Sequence, residues 1–210
     1  SRPLRTQTGI PTSAVFGFTN QLIKIIEDLK PDYIAVAFDS KEKTFRHEKY
    51  DFYKSSRAEI PEDLIPQIQL IKDLISAFNI PIYILPGYEA DDIIGTAAKR
   101  AEKLNLETVI VTPDKDFIQL VTDKTKIIKP GKSSDELEFI TKEKVLTDLG
   151  FSPEMMIDFL ALVGDQSDDI PGVKGIGEKS AVPLIQEFGS IEEIYNNIDK
   201  VESNSTKQKL

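Results

Sequence analysis

At 210 residues, 40% of them hydrophobic, the chain is long enough for one large domain or a domain with a small appendage, and too apolar for a disordered segment. It has no cysteine and a single histidine, His47, which excludes disulfides, thiolate zinc sites and cysteine nucleophiles and leaves a Ser-His-Asp triad or imidazole metal site only that residue to be built on. The formal charge of −9, taken as an average, argues against a polyanionic partner, and any metal would need oxygen ligands, which means Mg²⁺, Mn²⁺ or Ca²⁺.

Thr12 to Lys30 carries Val15, Phe18, Leu22, Ile25, Ile26 and Leu29 at helical spacing and stops at Pro31, so the spacing predicts a helix. "YIAVAFD", Tyr33 to Asp39, is an apolar run of strand length. A Lys/Arg-rich segment, Lys41 to Arg57, precedes a predicted helix from Pro61 to about Asn79. "PIYILP" is the next strand, Glu89 to Leu104 the next helix and Glu107 to Asp114 another strand, followed by a short helix through Leu120 and a strand at Lys126 to Lys129. From Thr141 the pattern is helical: Thr141 to Leu149, Pro153 to Val163, Gly177 to Phe188 and Ile191 to Ile198. "KPGKSSDELE", Lys129 to Glu138, reads as a mobile connector. Apolar strands alternating with helices predict an α/β core with a mostly parallel central sheet flanked by helices. The expected division is a core at 1–140, including a basic segment at 40–60, and a helical region at 141–210. No apolar run is long enough to span a membrane and no signal peptide is visible, so the reading is soluble, intracellular and without a membrane partner. The chain opens at Ser1 without methionine and ends on "STKQKL", so either end is read as a boundary within something longer.

Parallel sheets bind ligands beyond the carboxyl ends of their strands. Asp39 and Asp114 close two strands, and "GYEADDIIG" places Glu89, Asp91 and Asp92 at the opening of a helix, where Glu89 and Asp91 flank the apolar stripe and Asp92 falls opposite. "TPDKDF" adds Asp116, and "GDQSDDIPG" adds Asp165, Asp168 and Asp169 in a loop between helices. Singly, each acid is as well explained by dipole complementation, a turn or an N-cap. Jointly, in a chain without cysteine and with one histidine, they point to two oxygen-ligated divalent ions of the kind that promote phosphoryl displacement. Removing these nine from the 35 acids leaves 26, equal to the 26 Lys and Arg, so the remaining surface can carry basic patches.

Lys41, Lys43, Arg46, Lys49, Lys54 and Arg57 interleave with Phe45, Tyr50, Phe52 and Tyr53, a pattern that suits single-stranded nucleic acid, with a solvated amphipathic helix as the plainer alternative. His47 there reads as a polar surface contact. "PGVKGIGEKSA", Pro171 to Ala181, is a glycine-rich turn entering a helix, where Lys174 and Lys179 accompany N–H groups open to a phosphate; an ordinary helix-helix turn is the plain alternative.

"FDSKEKTFRHEKYDFYKSSR", "GYEADDIIG", "TPDKDFIQLV" and "GDQSDDIPGVKGIGEKSA" resemble, in order and spacing, the 5′-nuclease (5′-3′ exonuclease) domains of bacterial DNA polymerase I within the flap endonuclease family, over nearly the whole chain from Gly9. The resemblance implies a PIN-like core with a C-terminal helix-hairpin-helix appendage. It also implies a structure-specific, two-metal nuclease of replication and repair that acts on DNA with 5′ flaps, nicks or 5′ ends and on RNA primers. Mg²⁺ or Mn²⁺ would be the ions, with K⁺ at the hairpin. By matching position, Asp39, Glu89, Asp91 and Asp114 resemble first-site ligands, Asp116, Asp165 and Asp168 serve the second ion, and Asp92 matches a family acid in the outer shell. Lys54 and Arg57 resemble catalytic arch residues at the scissile phosphate, Arg46 and Tyr53 DNA contacts with Tyr53 stacking on the terminal base. Gly172, Lys174, Gly175, Gly177 and Lys179 resemble the hairpin that grips duplex DNA. A covalently linked polymerase region and a cytoplasmic, nucleoid-associated location follow from the same likeness, with an organellar one left open.

The match has departures. Asp169 stands where relatives usually carry Asn, adding a charge beside the second metal site, and Pro113 replaces a usually small residue. The family begins with an apolar strand ending in Asp, and none precedes Ser1, so a further N-terminal segment of roughly 15 to 20 residues is expected. Two other classes stay open: a catalytically impaired structure-specific DNA-binding module, and a Mg²⁺-dependent phosphatase of small substrates.

Overall fold

The amphipathic run after Thr12 forms α1, Ser13–Leu29, in a computed structural model that describes residues 3–130 and 137–210. In chain order there follow β1 Val36–Ala37, α2 Phe45–Lys49, α3 Ile65–Ala77, β2 Ile82–Tyr83, α4 Ala90–Lys103, β3 Thr108–Val111, β4 Thr125–Ile128 and β5 Phe139–Ile140. The C-terminal part has α5 Lys142–Leu149, α6 Met156–Val163, β6 Gly164–Asp165, β7 Ile170–Pro171, α7 Glu178–Phe188, α8 Ile191–Asn196 and α9 Asn204–Lys207. Most of the expected connector, Lys129 to Glu138, lies outside the described residues. Among the described residues no helix is long and apolar enough to cross a membrane.

The chain divides into two compact units, one of Ser1–Phe45 with Ala58–Ile93 and one of Arg46–Arg57 with Ile94–Leu210. In the first, Leu22 of α1 packs with Ile71 and Ile75 of α3 and with Ile80 just beyond it, and burying each such side chain contributes roughly 1.5 to 3 kcal/mol. Thr12 supplies no side-chain cap to α1; the buried Gln67 of α3 does so instead, its Oε1 accepting from Ala14 N at 2.7 Å and Val15 N at 3.3 Å. Lys30 closes the helix in the left-handed region at φ 46°, before Pro31. β1 and β2 pair in parallel, Val36 opposite Ile82, which sets Asp39 just past the carboxyl end of β1.

In the second unit β3 and β4 run parallel, Thr108 opposite Thr125, and β5 adds antiparallel to β4. Their inward residues Ile110 and Ile127 join Phe117, Val121, Phe159, Leu162 and Ile185 in one apolar core. The expected parallel pairing and flanking helices are present, and the strands fall into separate sheets, one in each unit and a third, two-residue hairpin of β6 and β7. β1 and β2 are shorter than the apolar runs that announced them, since ladder partners and not hydropathy set strand length.

Two glycines make the β6–β7 hairpin possible. A Cβ on Gly164 would stand 2.3 Å from Gly172 N, and one on Gly172 would stand 2.3 Å from the carbonyl carbon of Val163. The backbones approach where no side chain fits, and this fixes the loop that carries Asp165, Asp168 and Asp169.

Candidate metal and nucleic-acid site

In the first unit, Asp39 and the acids of "GYEADDIIG" meet at the start of α4. Asp39 Oδ1 accepts from Ala90 N at 2.8 Å, and Asp92 Oδ2 accepts from Glu89 N at 2.9 Å. The second bond is the returning arm of a capping box, with Asp92 at the third helical position. Asp92 is thus occupied at the helix end, in keeping with its place off the apolar stripe. Glu89 is buried, at 6% exposure, while Asp91 is exposed. Part of what holds like charges together here is the unsatisfied N–H groups and dipole of a helix N-terminus.

In the second unit, Thr112 and Asp114 follow β3. Asp114 N donates to Thr112 Oγ1 at 3.1 Å, and Asp114 Oδ1 accepts from Asp116 N at 2.9 Å, capping the 3₁₀ turn Lys115–Leu120. That turn is anchored by buried Phe117 and Ile118, which brings Asp116 into a half-buried position. Burial first, then the charges of Asp114 and Asp165 and a hydrogen bond shared with Asp165, push Asp116 up to about 7, against a smaller opposing pull from Lys115. Its Oδ1 is buried without a hydrogen-bond partner. Asp165 accepts at Oδ1 from Ser167 N at 2.9 Å and Ser167 Oγ at 2.7 Å. Burial raises Asp165, but the Ser167 bonds, Lys115 and the proton shared with Asp116 hold it below the ordinary carboxylate value.

Asp168 faces cations. Its Oδ1 accepts from Arg57 Nη2 at 3.0 Å, and its Oδ2 accepts from Tyr53 OH at 3.0 Å and lies 3.7 Å from Lys54 Nζ. Its backbone carbonyl accepts from Lys54 N at 3.0 Å. Lys54 sits in the left-handed region, φ 54°, a conformation that costs a non-glycine residue roughly 1 to 2 kcal/mol and is sustained by these bonds. Its ammonium lies 4.8 Å from the Tyr53 ring centroid, and His47 meets that ring edge-on at 5.2 Å. Tyr53 is 6% exposed, so its ring has no open face for a nucleotide base; the stacking role expected of Tyr53 is not available to it in this arrangement. Phe52, 66% exposed and 5.8 Å from the Tyr50 ring, is the open aromatic surface of the segment. Arg46 is half-buried within α2.

Asp169 does not face the acids. At φ 57°, a backbone region Asp and Asn tolerate better than other side-chain-bearing residues, its carboxylate accepts from Ser56 N at 2.7 Å and Ser56 Oγ at 2.7 Å, with Ser55 Oγ at 3.5 Å. The bonds from Ser56, then Ser55, hold it below the usual carboxylate range. The charge expected to add to a metal site is spent on the basic segment. Sequence reasoning passed over Ser56 because its partner lies 113 residues away and no local pattern marks the pair.

In the glycine-rich turn, Val173 N donates to Leu162 O at 2.8 Å and the buried Ile176 anchors it, leaving Lys174 and Lys179 exposed. Gly172 is required by the close backbone approach described above. Gly175 has φ +83° and lies against the Lys209 side chain, whose Nζ donates to Gly175 O at 3.0 Å. Gly177, the N-cap of α7, has open space where a Cβ would be.

Among the described residues no three Asp, Glu or His side chains are drawn together closely enough to hold a metal ion as they stand. Unscreened carboxylates repel, and Asp168 has turned to Lys54 and Arg57. The donor set nevertheless fits a hard divalent cation: the oxygens around Asp114, Asp116 and Asp165 include one buried carboxylate oxygen without a partner, on a group whose charge is disfavoured by burial first and then by its acidic neighbours.

A family model described as 5′-3′ exonuclease, N-terminal resolvase-like domain, matches residues 1–150, and one described as 5′-3′ exonuclease, C-terminal SAM fold, matches residues 151–210. DNA polymerase I of Bacillus subtilis (strain 168) is 44% identical over 207 residues, 99% of this chain and 24% of the relative. The thermostable DNA polymerase I of Thermus thermophilus is 43% identical over 207 residues, with the same shares of 99% and 24%. The chain thus spans about a quarter of the length of these relatives. Among solved structures, T5 5′-exonuclease with bound divalent metal ions (zinc) superposes at TM-score 0.75 and 23% identity, covering 91% of this chain and 73% of that one. The catalytic core of Rad2 in complex with DNA substrate does so at 0.58 and 26%, covering 98% and 62%.

Proposed function

Because the chain belongs to the 5′-3′ exonuclease family, we propose that it is a structure-specific 5′-to-3′ exonuclease and flap endonuclease, hydrolysing phosphodiester bonds in DNA with 5′ flaps, nicks or 5′ ends and in RNA primers. The observation that carries this reading is the partnerless Asp116 Oδ1, on a carboxyl disfavoured as an anion by burial and by Asp114 and Asp165, an oxygen that a cation would satisfy. Asp39, Glu89 and Asp91 would serve one Mg²⁺ or Mn²⁺, and Asp116, Asp165 and Asp168, beside Asp114, a second. When bound, such ions activate a water and offset charge on the phosphoryl oxygens. Lys54 and Arg57, released from Asp168, bind the scissile phosphate and stabilise its added charge in the transition state. Phe52 offers the open ring against which a terminal base stacks. Lys174, Lys179 and the N–H groups following Gly175 and Gly177 hold the duplex backbone without reading bases, and K⁺ at that turn belongs to the same reading. A nuclease core at 1–140 whose second ion draws on Asp165 and Asp168 of the following region, a helical DNA-binding region at 141–210, a linked polymerase region and a nucleoid-associated cytoplasmic location complete the proposal.

A second reading, a DNA-binding module that does not cut, draws on the absence of a ready-made metal cage among the described residues. One experiment separates them: the chain is incubated with 5′-flapped DNA and with a small phosphomonoester, with and without Mg²⁺. Mg²⁺-dependent cleavage of the DNA alone supports the nuclease. Metal-independent binding without cleavage supports the module, and phosphomonoester turnover overturns both.

A further inference from the structure

Two adjacent acids grip the Tyr53–Arg57 turn in different ways. The Asp168 carboxylate holds it by side chains, Tyr53, Lys54 and Arg57, and every one of those bonds is lost if that carboxylate turns to a cation. The Asp169 carboxylate holds it by Ser56, at N and Oγ, and is aimed away from the acidic group by its left-handed backbone. A carboxylate accepts from both Ser56 donors, and from Ser55 Oγ, without presenting a donor of its own; an amide has one acceptor oxygen, and its NH₂ faces one hydroxyl unfavourably unless that hydroxyl rotates.

We propose that Asp169 is a positioning residue, which holds the turn through Ser56 and so keeps Lys54 and Arg57 directed at the phosphate once Asp168 is engaged elsewhere. It touches no reacting atom. The proposal rests on the nuclease reading for its kinetic consequence but not for its structural one. With the Asp168 carboxylate engaged elsewhere, the bond from Lys54 N to the Asp168 carbonyl still holds one end of the turn; a misplacement near 1 Å at a catalytic group costs up to about a hundredfold in rate, and loss of the Asp169 tether beside that remaining bond costs less, about thirtyfold.

The test has a kinetic arm and an exchange arm. In single-turnover cleavage of flapped DNA at saturating protein and at a temperature where every variant is folded, Asp169→Ala is expected about thirtyfold slow, with DNA affinity in Ca²⁺ close to the parent and a lowered melting temperature, since the charged bonds from Ser56 are lost and alanine stands in the left-handed region. Asp169→Asn, which tolerates the left-handed backbone and keeps one acceptor, is expected to restore most of the rate. Ser56→Ala is the second variant, free of backbone strain, and is expected to be slow in the same sense. In a Lys54→Ala, Arg57→Ala background Asp169→Ala is expected to add no further loss, since it acts through those two residues. In the exchange arm, hydrogen exchange at the Ser56 amide is expected to quicken in Asp169→Ala with and without Mg²⁺, and to stay protected in Asp169→Asn. An undiminished loss in the double-alanine background, or unchanged protection at Ser56, overturns the proposal. If the parent itself fails to cut, the nuclease reading falls, and the exchange arm alone decides whether Asp169 tethers the turn.

Discussion

Replacing Asp116 with Asn is expected to stabilise the metal-free protein at alkaline pH and to change little at acid pH. The native pKa of Asp116 is raised from 3.8 to about 7. Below the lower value both folded and unfolded chains carry the proton, so the residue imposes no penalty. Between the two the unfolded chain ionises freely and the folded one does not, so stability falls as pH rises, and above about 7 the full penalty is present. That interval corresponds to roughly 4 kcal/mol at face value. Asp116 is half-buried, and solvent screening reduces this to about 2 kcal/mol. Asn removes the charge and still donates to Asp165 in place of the shared proton. For a chain of this length about 2 kcal/mol is a rise of roughly 4 to 8 °C in melting temperature.

The assay is a pair of melts in EDTA, at pH 8.5 and pH 4.5, repeated at the higher pH with Mg²⁺. Mg²⁺ is expected to raise the melting temperature of the parent by linkage and to raise that of Asp116→Asn less, narrowing the gap. Asp116→Asn melting below the parent at pH 8.5 in EDTA, or an equal gain at both pH values, would refute the argument that mutual repulsion and burial set this residue's state.

Other substitutions separate roles that composition merges. Asp168→Asn is expected to destabilise the metal-free chain by about 1 to 2 kcal/mol, because it gives up a charged hydrogen bond from Tyr53 and the pairs with Lys54 and Arg57, and to abolish cleavage; denaturant titration beside a cleavage assay checks both. Lys54→Ala is expected to lower single-turnover cleavage far more than DNA affinity, whereas Lys174→Ala and Lys179→Ala weaken affinity and flatten its salt dependence; equal losses in rate and binding for Lys54→Ala would tell against this division. Gly172→Ala is expected to cost about 3 kcal/mol or more, since its Cβ meets backbone that cannot swing aside; a melting temperature unchanged from the parent would show that the hairpin gives way.

What the sequence made legible were features written locally. The apolar stripe of α1, the strands ending near Asp39 and Asp114, and the acids opening α4 each depend on a periodicity of a few residues, and each stands where the pattern placed it. What stayed hidden depends on a partner distant in the chain. Nothing beside Gln67 marks it as the cap of α1, nothing beside Ser56 marks it as the partner of Asp169, and the burial of Tyr53 follows from the hydroxyl finding Asp168 across 115 residues. The two-residue strands β5, β6 and β7 carry too few residues for an alternation to register.

The same distinction decides how the acids are to be read. By residue type the nine were equivalent, and a count of carboxylates treated them as one negative cluster. Their hydrogen bonds sort them: Asp92 closes a helix end, Asp169 holds a serine, Asp168 is neutralised by two cations, and the Asp116 carboxyl keeps an oxygen with nothing to satisfy it. A carboxylate already satisfied by N–H or hydroxyl donors gains little from a metal, while one whose charge is disfavoured by burial and like-charged neighbours, and which is short of a partner, gains most once its proton is released. Affinity for a divalent ion should therefore be concentrated at Asp116, and of all the acids its removal should most weaken Mg²⁺ or Mn²⁺ binding. Calorimetric titration of Asp116→Asn and Asp92→Asn with Mn²⁺ tests this ranking. A larger loss of binding for Asp92→Asn than for Asp116→Asn would mean that the hydrogen bonds of the metal-free chain are not those that govern where the ions go.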